Sequence, residues 1–294
     1  MIECAPLVSA VVGSDMAESA TPRGLSPHLW ATLRATLDQL HLDSVAGPDG
    51  VTNPDGVDRS AGVANPDGVT TSNPVDRSAG PVHILDCGGG SGSLAVPLAG
   101  LDARVTVLDV SIDALGTLRR RAAEAGVSDR VSAVQGEAES LTELFDEGSF
   151  DFVLAHEVLA DVANVSAALA GIATVLRPGG AVSIVTGNPV AVVLSRALSG
   201  DVAGALASWR RSAHDGVDLA LLISYCEEVG LQVERVDGIG IFTELVPGID
   251  LERPGAMTAL AELESATAGT APYRDIASRL HLIARRSPLS PRPA

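Results

Sequence analysis

The sequence predicts an α/β fold in which a mostly parallel, doubly wound sheet is covered by helices on both faces. Three observations carry the prediction. From residue 81 to about 187, short apolar runs alternate with stretches of helical periodicity, at lengths that suit strand–crossover–strand units. The first run, Val82-His83-Ile84-Leu85, leads directly into the glycine-rich turn Asp86-Cys87-Gly88-Gly89-Gly90-Ser91-Gly92. Later runs end in Asp109, Glu137 and His156, and in an open parallel sheet such strand ends gather at the carboxyl edge, where ligands bind.

Taken in order, residues 1–25 are small and polar with Pro and Gly, and are expected to be a disordered N-terminus. Residues 26–46 are expected to be a helix, with Ser26 as N-cap, Pro27 in the first turn and Leu29, Leu33, Leu37 and Leu40 on one stripe. The stripe reads as core packing; the other reading is a helix laid over the mouth of a ligand site. Residues 47–80 repeat themselves: Asn53-Pro54-Asp55-Gly56-Val57 returns at 65–69, and Val57-Asp58-Arg59-Ser60-Ala61-Gly62 returns at 75–80. Asn-Pro and Asp-Gly pairs form turns, and two irregular copies cannot stack into a core of their own, so this is read as a low-complexity insertion. Its aspartates lack the acidic residue that closes a calcium loop.

The segment 81–187 carries the chemistry. Glycine lacks a Cβ, so the turn at 86–92 lets bare backbone N–H groups approach a ligand. The second run, Arg104-Val105-Thr106-Val107-Leu108, ends in Asp109, placed to accept the hydrogen bonds of a ribose diol and so to imply an adenosine-type ligand. The dinucleotide pattern fails from Gly88, because Ser93 takes its last position, although Gly90 to Ala95 fits the looser form ending in alanine. A nicotinamide oxidoreductase therefore stays open, without a Ser-Tyr-Lys set, since the chain has no lysine. Val131-Ser132-Ala133-Val134 precedes Gly136-Glu137-Ala138, a further apolar run spans Phe150 to His156, and Leu176-Arg177-Pro178-Gly179-Gly180 follows. Helical faces fall at Ile112, Leu115, Leu118 and Ala122, and at Val165, Leu169, Ile172 and Leu176. His83, inside the first strand, reads as structural. Residues 188–286 follow with helices over 191–198 and 219–229 and strands over 231–236 and 280–284, and 287–294 form a tail.

Composition narrows the classes. A chain of 294 residues, 46% hydrophobic, can bury one substantial core. Its three cysteines, Cys4, Cys87 and Cys226, form no disulfide or zinc pattern, so reduced thiols and no metal are expected. The start lacks a basic signal region, and no apolar run approaches the roughly 18 residues of a membrane span, so a cytoplasmic protein without a membrane partner is expected. A formal net charge of −17 disfavours a nucleic-acid partner. Oligomeric state is left open.

Together, Asp86, Gly88, Gly90 and Gly92, then Asp109, Glu137-Ala138, Phe150 to His156 and Leu176 to Gly180 resemble, in order, the motifs of the class I S-adenosylmethionine-dependent methyltransferases. The resemblance implies a Rossmann-like sheet of seven strands with the last antiparallel, Phe150 to His156 as the fourth strand and its turn, Leu176 to Gly180 as the loop before the fifth, and S-adenosyl-L-methionine as cofactor. It further implies Gly88 and Gly90 against the methionine part, Asp86 near its ammonium, Asp109 at the ribose and Glu137 with Ala138 at the adenine. His156 would face the methyl group, as a base or as pocket lining, and the region before the closing strands would choose the acceptor.

Over 82–286 the chain resembles bacterial tRNA 5-carboxymethoxyuridine carboxyl methyltransferases, through Gly240-Ile241-Phe242, Ala261-Glu262-Leu263-Glu264, Pro272-Tyr273 and His281. That family's lysine-rich loop is here only Trp209-Arg210-Arg211, and an expected arginine after Tyr273 is Ser278. Arg210, Arg211 and Tyr273 are the candidate acceptor residues, the arginines because their fork suits carboxylates. The expected activity is O-methylation of a small or carboxylate-bearing acceptor. The alternatives are a tRNA wobble-uridine carboxyl methyltransferase, a non-catalytic cofactor-binding protein and the nicotinamide oxidoreductase.

Overall fold

A computed structural model describes residues 21–22, 24–46, 80–215 and 218–288. The readings made for residues 1–20, for the repeats over 47–79, for Cys4 and for residues 289–294 lie outside the described residues.

The described residues form one sheet. Its strands are β1 (His83–Cys87), β2 (Arg104–Asp109), β3 (Val131–Gln135), β4 (Phe150–His156), β5 (Leu176–Gly187), β6 (Leu231–Ile239) and β7 (Arg279–Arg286), in the order β3-β2-β1-β4-β5-β7-β6. The first five pair parallel, and β7 lies antiparallel between β5 and β6. The helices are α1 (Pro27–Ala46), α2 (Ala95–Ala99), α3 (Ile112–Glu124), α4 (Leu141–Leu144), α5 (Val165–Val175), α6 (Pro189–Leu198), α7 (Val202–Asp215), α8 (Leu219–Glu228), α9 (Gly248–Leu251) and α10 (Ala256–Thr267).

Side chains alternate across each strand, so one sequence feeds two cores. Leu85, Val153, Ala155 and Ile184 pack with Leu169 and Ile172 of α5 and Leu222 and Cys226 of α8. Ile84, Val107, Phe152 and Leu154 pack on the other face with α1, α2 and α3. The stripe Leu29, Leu33, Leu37 and Leu40 is buried there, which makes α1 a core helix. At its start Ser26 Oγ stands 3.5 Å from the Leu29 N–H.

One expectation needs correcting. Residues 177–180 are not a loop ahead of the fifth strand: β5 begins at Leu176 opposite Phe150, and its register with β4 resumes only at Ala181 opposite Phe152. The segment is an enlarged bulge inside the pairing, and Arg177 fastens it by an ion pair to Asp151.

Because β1 to β5 run parallel, their carboxyl ends share one edge of the sheet. The reversed β7 begins at that edge: Arg279 pairs with Gly187 at the end of β5 and with Ile239 at the end of β6.

Candidate functional site

The glycine turn closes on neighbouring strands. Gly88 N–H donates to the Leu108 carbonyl at 2.8 Å, and Gly92 N–H to the Gly89 carbonyl at 2.9 Å. Gly88 and Gly90 have φ of 67° and 55°, a left-handed backbone that favours glycine. Asp109, at the tip of β2, locks the turn: Oδ2 accepts from Gly90 N–H at 2.9 Å and Oδ1 from Ser111 N–H at 2.8 Å. Each oxygen retains a lone pair for a further donor.

Beneath the turn lies Asp86, only 2% exposed, whose Oδ2 has no hydrogen-bond partner. A Cβ on Gly89 would sit 2.3 Å from that oxygen, so only glycine leaves room above it. Burial, and secondly the charge of Asp109, push the Asp86 carboxyl up to about 7. A buried carboxylate without a partner is costly, and a cation beside it removes that cost.

A cleft of about 470 Å³ opens at the same edge, lined by Gly88, Asp109, Glu137, Ala138, His156 and Glu157 among others. Glu139 and Asp161 also line it, so among the described residues five carboxylates face one histidine there. This electrostatic balance suits a cationic ligand and opposes a pyrophosphate. Glu139 has a second duty, accepting from Ala163 N–H at 2.8 Å and so holding the segment after β4 in place.

His156 ends β4, and its Nε2 lies 2.8 Å from Ser183 Oγ, which in turn lies 2.9 Å from Nε2 of the buried His281. Burial, followed by His281 and Arg279, pulls the His156 pKa down to about 3. Burial pulls His281 down to about 4. Both rings are neutral at physiological pH. The next residue, Glu157, has φ of 60°, unusual for a side chain with a Cβ, and its Oε1 stands 3.8 Å from Arg279 Nη1.

The structure thus brings Gly88, Asp109, Glu137, Ala138 and His156 to one cleft, with Asp86 and Gly90 in the turn beside it. Gly92 faces elsewhere: its missing Cβ makes room for Leu118. The three candidate acceptor residues are not brought there. Arg210 and Arg211 are exposed on α7, and Tyr273 stands half exposed against Phe242, ring centroids 5.9 Å apart. None of the three lines the cleft. Arg279 was missed, although an antiparallel closing strand must begin where its neighbours end. Glu139 and Asp161 left no sequence signal, because their place depends on the turns after β3 and β4.

Residues 85–184 match the family model described as a methyltransferase domain. The tRNA 5-carboxymethoxyuridine methyltransferase of Escherichia coli (strain K12) is 27% identical over 211 residues, 70% of this chain and 80% of that protein. The ubiquinone biosynthesis O-methyltransferase of Xanthomonas euvesicatoria pv. vesicatoria (strain 85-10) is 31% identical over 160 residues, 53% of this chain and 65% of that protein. A solved S-adenosylmethionine-dependent methyltransferase from Mesorhizobium loti superposes with a TM-score of 0.49 at 21% identity, covering 70% of this chain and 92% of that one. With the domain match, the named relatives and the reversed seventh strand in hand, the chain is identified as a class I S-adenosylmethionine-dependent methyltransferase.

Proposed function

We propose that the protein O-methylates a small, carboxylate-bearing acceptor in the cytoplasm. Under this reading Asp86 pairs with the cofactor's ammonium, Gly88 and Gly90 pass close to its methionine part, Asp109 accepts from the ribose hydroxyls, and Glu137 and Ala138 flank the adenine. The orphaned Oδ2 of Asp86 and the acidic cleft fit a ligand that carries both an ammonium and a sulfonium. Bound there, the cofactor would supply an activated methyl group for transfer to an acceptor oxygen, with the electron pair of the broken carbon–sulfur bond left on sulfur. What the protein adds is orientation, which can supply about 7–11 kcal/mol when reacting atoms are held in line.

A single observation favours a carboxylate over a hydroxyl, namely the bonding of His156. His281 Nδ1 is buried without a partner. An unpaired lone pair there costs less than an unpaired N–H, so the His281 proton belongs on Nε2 and points at Ser183 Oγ. The Ser183 hydroxyl is then free to donate to His156 Nε2, which leaves the His156 proton on Nδ1. In this arrangement His156 offers a donor rather than a base, and its low pKa makes it a weak base in any case. A hydroxyl acceptor needs a base; a carboxylate arrives ionised and needs none. A neutral donor at His156 also suits an anionic acceptor.

A second reading, methylation of a tRNA wobble uridine, is favoured by the Escherichia coli relative, whose name specifies a carboxymethoxy group. Both readings share a carboxylate nucleophile. The free thiols Cys87 and Cys226 agree with a reducing compartment, and among the described residues no helix is long and apolar enough to cross a membrane. Isothermal calorimetry with S-adenosylhomocysteine tests the cofactor assignment: micromolar binding with a proton exchanged near neutral pH is expected, and no heat at millimolar ligand overturns it.

A further inference from the structure

A second cavity, of about 340 Å³, lies beyond the cleft, between the start of α1, α10 and the loop that follows β6. Leu25, Pro27, Ile239, Met257 and Leu260 give it an apolar wall. Most of its polar groups are already engaged. His28 bonds Asp237 at 3.1 Å, and both Glu264 oxygens accept from the backbone of residues 241–243 at 2.8–2.9 Å. Glu244 is exposed. Arg279 is different: it lines this cavity, its side chain is half exposed, and among the described residues its guanidinium makes no hydrogen bond. Among the described residues its one ion pair is with Glu157, at 3.8 Å, and Glu157 lines the cleft. The Glu157–Arg279 pair therefore stands between the two spaces, one member on the wall of each.

We infer that this cavity seats the acceptor, with Arg279 holding its carboxylate at the cleft and the apolar wall taking its body. The inference rests on the methyltransferase reading above and adds the acceptor's chemical class: a small carboxylic acid with an apolar body. A guanidinium without hydrogen-bond partners keeps its fork of donors for an incoming carboxylate. The volume lies within the usual range for small-molecule sites. A nucleic acid is the poorer fit, since it needs several phosphate-binding cations, and among the described residues the junction offers Arg279 alone, with the Glu157 carboxylate beside it. Methylation removes the acceptor's charge, so the same arginine that captures the acid holds the ester weakly and favours its release.

The test uses the full chain saturated with S-adenosylhomocysteine and octanoate as probe, followed by calorimetry. Octanoate is expected to bind at least about tenfold more tightly than methyl octanoate, because only the acid can pair with a guanidinium. Arg279→Gln, a change at an exposed side chain, should weaken octanoate about tenfold and leave methyl octanoate and S-adenosylhomocysteine within about twofold. Ala261→Trp, which fills the cavity, should weaken acid and ester alike. The inference is overturned if neither octanoate nor 3-phenylpropanoate binds the wild-type complex at millimolar concentration, or if Arg279→Gln binds octanoate as wild type does. Failure of the methyltransferase reading shows separately, as absence of S-adenosylhomocysteine binding before any acid is added.

Discussion

Asp86 shows how one residue links sequence, energetics and ligand. Its pKa rises from an ordinary 3.8 to about 7 in the folded protein. Between those values the folded state holds more protons than the unfolded state, so the stability this group confers is full at low pH and is lost as pH rises towards 7. An ammonium beside it reverses the preference for the neutral form. S-adenosylhomocysteine affinity is therefore expected to climb by up to about tenfold per unit between roughly pH 5.5 and 7 and to flatten above. Asp86→Asn should remove that slope and weaken binding at pH 8 by about one to two orders of magnitude, both readable by calorimetry. Asp86, Asp109 and the turn between them were legible from sequence, because strand ends and glycines report local geometry. The roles of Ser183 and His281 were not, since their bonds to His156 cross strands far apart in the chain.

Among the elements, α1 illustrates what a periodic pattern reports. Its leucine stripe specified both its existence and its buried face, and Leu33 is completely buried. Leu33→Ala is expected to cost about 2–5 kcal/mol in urea unfolding, with the slope against denaturant unchanged. Asp237 ties the start of α1 to β6: burial pushes its carboxyl up, but hydrogen bonds from His28 and Arg235 outweigh this and hold it below the usual range. Helices α7 and α10 escaped the sequence reading for the converse reason. Leu206 and Trp209 of α7 and Met257 and Leu263 of α10 are exposed, so in these helices the large apolar residues do not report a buried face. The bulge at 177–180 was read as a loop because its Pro-Gly-Gly sequence is the same in either setting, and only the register of β4 against β5 distinguishes them.

At the scale of the whole molecule, charge bears on the two acceptor readings. A net charge of −17 repels a polyanion at long range, and salt weakens whatever local contacts remain. Bulk tRNA is therefore expected not to retard the protein on a native gel at about 0.15 M salt, whereas a shift with submicromolar tRNA would favour the wobble-uridine reading. The doubly wound core was legible because alternating strands and helices permit few topologies. Which way β7 runs was not written in its own residues and came from family likeness.

That reversal has an outcome for how such a protein can change. The stretch between β6 and β7 leaves and re-enters the sheet at adjoining points, with Ser278 N–H donating to the Gly240 carbonyl at 3.3 Å and Ser278 Oγ to the Ile239 carbonyl at 3.0 Å. It is a cassette clamped at its base and held again where the Ala268 carbonyl accepts from Gly238 N–H at 2.8 Å, so its largely exposed part over 243–257 can be exchanged while the strands beneath keep their pairing. Selectivity for new molecules can thus be acquired by grafting, without disturbing the machinery below.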